Sequence, residues 1–223
     1  MQLFKNFCDY TLDKNGVLEK FELKYPDNYN FGYDVVDEMA KCAPNDIAVQ
    51  WTNVHNERKT FTFSDIATLS NKAANALRNN GVKKGDKVLV ILKRNYEYWY
   101  IVPALHKLGA VVIPATNMLT LDDITYRIET ANIKFAVSTP DDVTAETLVQ
   151  AKTVKSQLEK VFVVRRDVEG SINLTKEIEN ADENLERVQT KAKEPMLIYF
   201  TSGTTGSVSY THLRAHETLA NLV

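Results

Sequence analysis

Cysteine is scarce in this chain. Among 223 residues only Cys8 and Cys42 carry a thiol, far apart and outside any C-x-x-C spacing. That argues against a disulfide framework and points to a reducing compartment. An excess of charge of one sign is missing too. The 27 Lys and Arg face 29 Asp and Glu, a formal net charge of −2, and the pI is near 6.1. No global positive field attracts nucleic acid or an anionic membrane, so neither is expected as a partner. Long apolar runs are absent as well. Residues 1–10 mix Lys5 and Asp9 with apolar side chains and have no signal-peptide h-region. The most apolar later stretch, 98–105, is too short for a bilayer and contains Pro103. No membrane insertion is expected, and the cytoplasm is the expected location. Internal repeats, low-complexity segments, a Walker A loop, G-x-G-x-x-G and H-E-x-x-H are all lacking.

What is present is an ordinary globular composition, 44% hydrophobic and 25% charged, in a chain long enough for a sizeable core. A helix is expected over 34–42 with Val35, Val36, Met39 and Ala40 on its apolar face, and short strands over 47–51 and 60–63. Ser64 is the expected N-cap of a helix burying Ile66, Leu69, Ala73, Ala76 and Leu77 and stopping at Gly81. Residues 87–92 read as a strand apolar on both faces, the mark of a buried parallel strand. A helix over 96–108, a strand over 110–113 and a helix capped by Thr120 with Asp123 in a capping box follow. Beyond them come a strand at 135–137, a helix over 143–158 and a strand over 161–164. Residues 170–193 read as a helix and a surface loop, with Glu177, Glu179, Asp182 and Glu183 on a solvated face. This alternation predicts an α/β fold, a mostly parallel sheet covered by helices.

A last buried strand, 196–200, runs directly into Thr201-Ser202-Gly203-Thr204-Thr205-Gly206. Such a loop suits a polyphosphate. Gly203 and Gly206 permit close approach and positive φ. Consecutive amides converge on phosphate oxygens, and the hydroxyls of Thr201, Ser202, Thr204 and Thr205 add uncharged donors. Open α/β sheets bind ligands at the carboxyl end of a parallel strand, where this loop sits. A Gly/Ser/Thr hexapeptide taken alone is also an ordinary turn.

Tyr199-Phe200-Thr201-Ser202-Gly203-Thr204-Thr205-Gly206 resembles the phosphate loop of adenylate-forming enzymes, namely acyl-CoA synthetases, peptide-synthetase adenylation domains and luciferases. Upstream, Thr62-Phe63-Ser64-Asp65, Gly81-Val82-Lys83-Lys84-Gly85-Asp86 and Leu108-Gly109-Ala110-Val111-Val112-Ile113-Pro114 look like the same family's N-terminal signposts. The stretch Pro114-Ala115-Thr116-Asn117-Met118-Leu119 is similar to medium-chain and acetyl-type acyl-CoA synthetases. The resemblance implies the N-terminal part of the adenylate-forming fold and an ATP-dependent acid–thiol ligase. It implies a small carboxylic acid, such as a fatty acid, as substrate, with ATP, Mg²⁺ and coenzyme A. Thr201, Ser202, Gly203, Thr204, Thr205 and Gly206 are then ATP contacts. No catalytic residue is assigned, because the family's later motifs lie past Gly206, and the oligomeric state is left open. An amino-acid-activating adenylation domain, or a short non-catalytic nucleotide- or partner-binding protein, are the other readings.

The family loop continues with a variable residue, Pro and Lys; here Ser207, Val208 and Ser209 stand instead. Residues 1–206 are therefore expected to be a partial N-terminal AMP-binding domain, truncated and inactive alone. Residues 207–223 are expected to be a non-family tail, since Ser209-Tyr210-Thr211-His212-Leu213-Arg214-Ala215-His216-Glu217-Thr218 looks like a translated sequencing adapter. His212 and His216 lie four apart with Glu217 adjacent, but the order is not that of a zinc motif and no third ligand is evident, so no metal site is expected. His55 and His106 read as surface or packing histidines.

Overall fold

The computed structural model describes residues 3–201 and 209–214. The chain opens on an antiparallel hairpin, β1 (Cys8–Leu12) and β2 (Leu18–Leu23), which the periodicity reading did not anticipate. Its signal was in the sequence: Asn15-Gly16 is a strong hairpin dipeptide. Gly16 takes φ +80°, and the Asp13 carboxylate accepts from the backbone N–H of Asn15 and of Val17, each at 2.8 Å. The expected helix over 34–42 exists in two parts, a π-helical turn Gly32–Asp37 and α1 (Glu38–Cys42).

β3 (Ile47–Thr52) and β4 (Arg58–Thr62) form a second hairpin. It leads into α2 (Phe63–Asn79), whose N-cap is Thr62 and not Ser64. The Thr62 hydroxyl accepts from Asp65 N–H at 3.1 Å and the Asp65 carboxylate accepts from Thr62 N–H at 2.8 Å. Ser64 loses the role because this reciprocal pair satisfies two amides where a lone hydroxyl satisfies one.

β5 (Lys87–Ile91), α3 (Tyr98–Leu108), β6 (Val111–Pro114), α4 (Leu121–Ala131), β7 (Phe135–Ser138), α5 (Thr144–Val154) and β8 (Lys160–Val163) then alternate. β9 (Ile172–Asn173), α6 (Leu174–Asn180), β10 (Pro195–Thr201) and β11 (Ser209–Arg214) are the remaining elements among the described residues. The main sheet has the order β11-β10-β6-β5-β7-β8-β9. From β10 to β9 every pairing is parallel, and only β11 runs antiparallel. β10 is thus paired on both sides, by β6 and by β11.

β5 explains why the sheet is sandwiched. Successive side chains of a strand point to opposite faces. Val88 and Val90 enter one core with Leu77, Ile101 and Leu105 of α2 and α3, while Leu89 and Ile91 enter the other with Ile124, Ile128 and Leu148 of α4 and α5. Because the chain leaves β5 toward β6 and returns past it to β7, the connections diverge at β5/β7. That divergence is a topological switch point.

Candidate functional site

All the parallel strands end at one side of the sheet. Leu92-Lys93-Arg94-Asn95 follows β5, Ala115-Thr116-Asn117 follows β6, Thr139-Pro140-Asp141 follows β7, and Val164-Arg165 follows β8. With the turn of the β3–β4 hairpin they surround a cavity of about 970 Å³, lined among others by Trp51, His55, Lys93, Arg94, Asn117 and Arg165. The lining is polar and charged, with Lys93, Arg94 and Arg165 beside Asp141 and Lys93 paired with Asp142 at 3.4 Å, so the crevice suits a polar ligand.

Its floor is a hydrogen-bonded network. Asn95, itself buried, donates through Nδ2 to Thr139 Oγ1 at 2.9 Å and to Asp141 Oδ2 at 2.8 Å. Thr139 donates to the same Asp141 oxygen at 2.8 Å. Arg165 donates to the side-chain amide oxygen Oδ1 of Asn95 and its Nε lies 2.7 Å from Glu97 Oε1. Burial pushes the Asp141 carboxyl up, but the hydrogen bonds from Asn95 and Thr139 and the charges of Arg165 and Lys93 outweigh it, leaving the pKa below the ordinary value. Glu97, 1% exposed, is pushed the other way: burial raises it, and Arg165 offsets only part. Lys93 and Arg165 both hold positive φ, 52° and 61°, an uncommon backbone region for side-chain-bearing residues. Both bends sit where the strands release their chains into the crevice.

Thr201, the first residue of the expected phosphate loop, is the carboxyl-terminal residue of β10. β10 is parallel to β6, with Leu197 opposite Val112, so Thr201 leaves the sheet on the crevice side. Ser202, Gly203, Thr204, Thr205 and Gly206 lie outside the described residues. A family profile described as "AMP-binding enzyme" matches residues 36–221.

The chain belongs to the AMP-binding enzyme family.

Among its relatives is mouse "Acyl-coenzyme A synthetase ACSM4, mitochondrial", 35% identical over 203 residues, 88% of this chain and 35% of that protein. Human "Acyl-coenzyme A synthetase ACSM3, mitochondrial" is 33% identical over 219 residues, 95% of this chain and 36% of that protein. The crystal structure of Brucella canis acyl-CoA synthetase superposes with a TM-score of 0.76 at 21% identity, covering 86% of this chain and 34% of that one. This AMP-binding chain thus spans about a third of the length of the relatives it matches. The cytoplasmic expectation is corrected here, because these curated relatives are mitochondrial by name. It rested on scarce cysteine and a missing h-region, and neither distinguishes one reducing compartment from another.

Sequence reasoning missed the crevice residues Lys93, Arg94, Asn95, Asp141 and Arg165. Their signal was positional: each follows a buried parallel strand, as the Thr201 loop does. The histidines divide. His55 is exposed in a turn, whereas His106 packs edge-on against Phe31 at 5.9 Å, and burial lowers its pKa from 6.5 to about 4. His212 falls in β11, while His216 and Glu217 lie outside the described residues. Among the described residues no helix is long and apolar enough to cross a membrane.

Proposed function

We propose that the complete protein is an acid–thiol ligase that uses ATP to join a small carboxylic acid, of the fatty-acid class, to coenzyme A. Thr201, Ser202, Gly203, Thr204, Thr205 and Gly206 hold the β- and γ-phosphates. The observation that supports this reading is the placement of β10, which delivers Thr201 to the same sheet end as a crevice rich in Lys and Arg. Membership of the AMP-binding family and the names of the relatives support the reaction type.

A free carboxylate has no good leaving group, and AMP supplies one. In the first step a carboxylate oxygen attacks the α-phosphorus. The bond to the oxygen bridging to the β-phosphate breaks, and pyrophosphate departs. In the second step the coenzyme A thiol gives its proton to solvent, its sulfur attacks the acyl carbon, and AMP leaves with the electron pair of the broken C–O bond. The loop's amides and hydroxyls stabilise charge on the departing pyrophosphate, donors fixed in place before the charge develops. Mg²⁺ belongs to this reading as the partner of ATP. Among the described residues no group of three or more His, Cys, Asp or Glu is placed to hold a metal, so no step is derived through it.

Carboxylate-dependent exchange of pyrophosphate into ATP by the complete protein tests the activity. Exchange is expected with fatty acids and should fall at least about 10-fold when Gly203→Val and Gly206→Val are combined, because Cβ atoms keep the backbone from the phosphates. Unchanged ATP affinity in that double variant overturns the phosphate assignment. The proposed domain boundary at residue 206 is tested separately, by sequencing the gene downstream of Gly206 from intact genomic DNA. A continuous frame encoding residues 207–223 overturns it.

A further inference from the structure

The first hairpin carries an unusual concentration of exposed apolar side chains. Tyr10 is 36% exposed, Leu12 51%, Val17 62%, Leu18 56% and Phe21 50%. The register accounts for this. Cys8 is opposite Leu23, Tyr10 opposite Phe21 and Leu12 opposite Leu18. One face of the hairpin is therefore Cys8, Tyr10, Leu12, Leu18, Phe21 and Leu23, and the other is Asp9, Thr11, Lys20 and Glu22. The register shift between Thr11 and Leu12 skips Glu19 and keeps Leu18 on the apolar side. Among the described residues β1 and β2 pair only with each other, so each presents a free backbone edge as well. A free edge beside an apolar face is a template for another strand.

β2 identifies which strand fits. Its centre reads Lys20-Phe21-Glu22. Two copies of β2, antiparallel about a two-fold axis through Phe21, set Lys20 against the partner's Glu22 twice and Phe21 against the partner's Phe21. Directly opposed residues share a face, and opposite charges or aromatic pairs there stabilise the pairing. In the single chain Lys20 and Glu22 sit 3.4 Å apart with side chains 69% and 58% exposed, an arrangement worth little in solvent. β1 has no such self-complement, since a two-fold axis through Tyr10 sets Asp9 against Thr11.

We infer that β2 is a dimerisation strand, and that its partner is a second copy of this chain. The assembly is a four-stranded sheet, β1-β2-β2-β1, whose joined apolar faces are continuous. The interface is isologous, so it closes at two copies.

Sedimentation equilibrium on the complete protein, under reducing conditions and low salt, tests this. A dimer is expected. Lys20→Glu or Glu22→Lys alone sets like charges opposite one another and should weaken self-association at least about 10-fold. Mixing the two single variants one to one should restore association as heterodimers, because the opposed positions again carry unlike charge. Both sites are exposed, so the far-ultraviolet circular-dichroism spectrum should stay unchanged and separate loss of assembly from loss of fold. A monomeric parent chain, single variants that associate as tightly as the parent, or a mixture that stays monomeric each overturns the inference. So does a monomer that binds phosphatidylcholine vesicles through Phe21, which would reassign the face to a bilayer.

Discussion

Lys107 is fully buried on α3, and its ammonium donates to Asp37 Oδ1 at 2.6 Å, Ser70 Oγ at 2.8 Å and Asn71 Oδ1 at 2.6 Å. One cation thereby ties α3 to the π-helical turn and to α2. Burial lowers the Lys107 pKa and raises that of Asp37, each only partly offset by the other. Desolvation thus outweighs attraction, and the pair is weak evidence for net stability while being costly to break. Lys107→Met should destabilise the fold by about 3 kcal/mol or more, read as a lower urea midpoint. Gly32 belongs to the same knot, because a Cβ there would meet Lys107 Cγ at 2.5 Å and the Pro103 carbonyl at 2.9 Å.

His106 predicts a pH dependence. Its folded pKa, about 4, lies below the ordinary 6.5, so between those values the unfolded chain holds a proton that the folded chain does not. Stability is complete above pH 6.5 and declines as pH falls toward 4, by on the order of 3 kcal/mol. His106→Phe should flatten that decline in urea titrations at successive pH values. As a packing residue His106 was legible in the sequence. The Lys107 knot was not, because its partners come from two other elements and no spacing rule links them.

At the scale of the element, local chemistry was the more readable part. The Thr120–Asp123 capping box of α4 stands as expected, with Asp123 N–H donating to Thr120 Oγ1 at 3.2 Å, and Ile124 and Ile128 are buried beneath it. For α2 the cap was misplaced by two residues, and this yields a discriminating pair of variants. Thr62→Ala should cost about 1 kcal/mol, whereas Ser64→Ala should stay within about 0.5 kcal/mol of the parent; thermal denaturation separates them. Gly109 closes α3 in a left-handed conformation, φ 69°, as its place after Leu108 suggested. The first hairpin went unread because its strands are short and almost wholly exposed, so apolar burial gave no contrast to follow.

For the whole molecule, the alternation of elements sufficed to predict a parallel sheet between helices, since each buried strand declares itself by being apolar on both faces. Strand order was not legible, because no local signal says that β7 pairs with β5 and not with β6. The crevice was hidden for the same reason: it exists only once β5, β6, β7 and β8 lie side by side. The 223-residue chain, about a third of its relatives' length, is expected to show no carboxylate-dependent pyrophosphate exchange. Exchange above background, measured with labelled pyrophosphate, would count against that.

The position of β5 also bears on synthesis. Its Val88 side can be covered by α2, which leaves the ribosome before it, and by α3 shortly after. Leu89 and Ile91 must wait for α4 and α5. During that interval the nascent polypeptide displays a naked aliphatic ribbon, the kind of surface that chaperones grip.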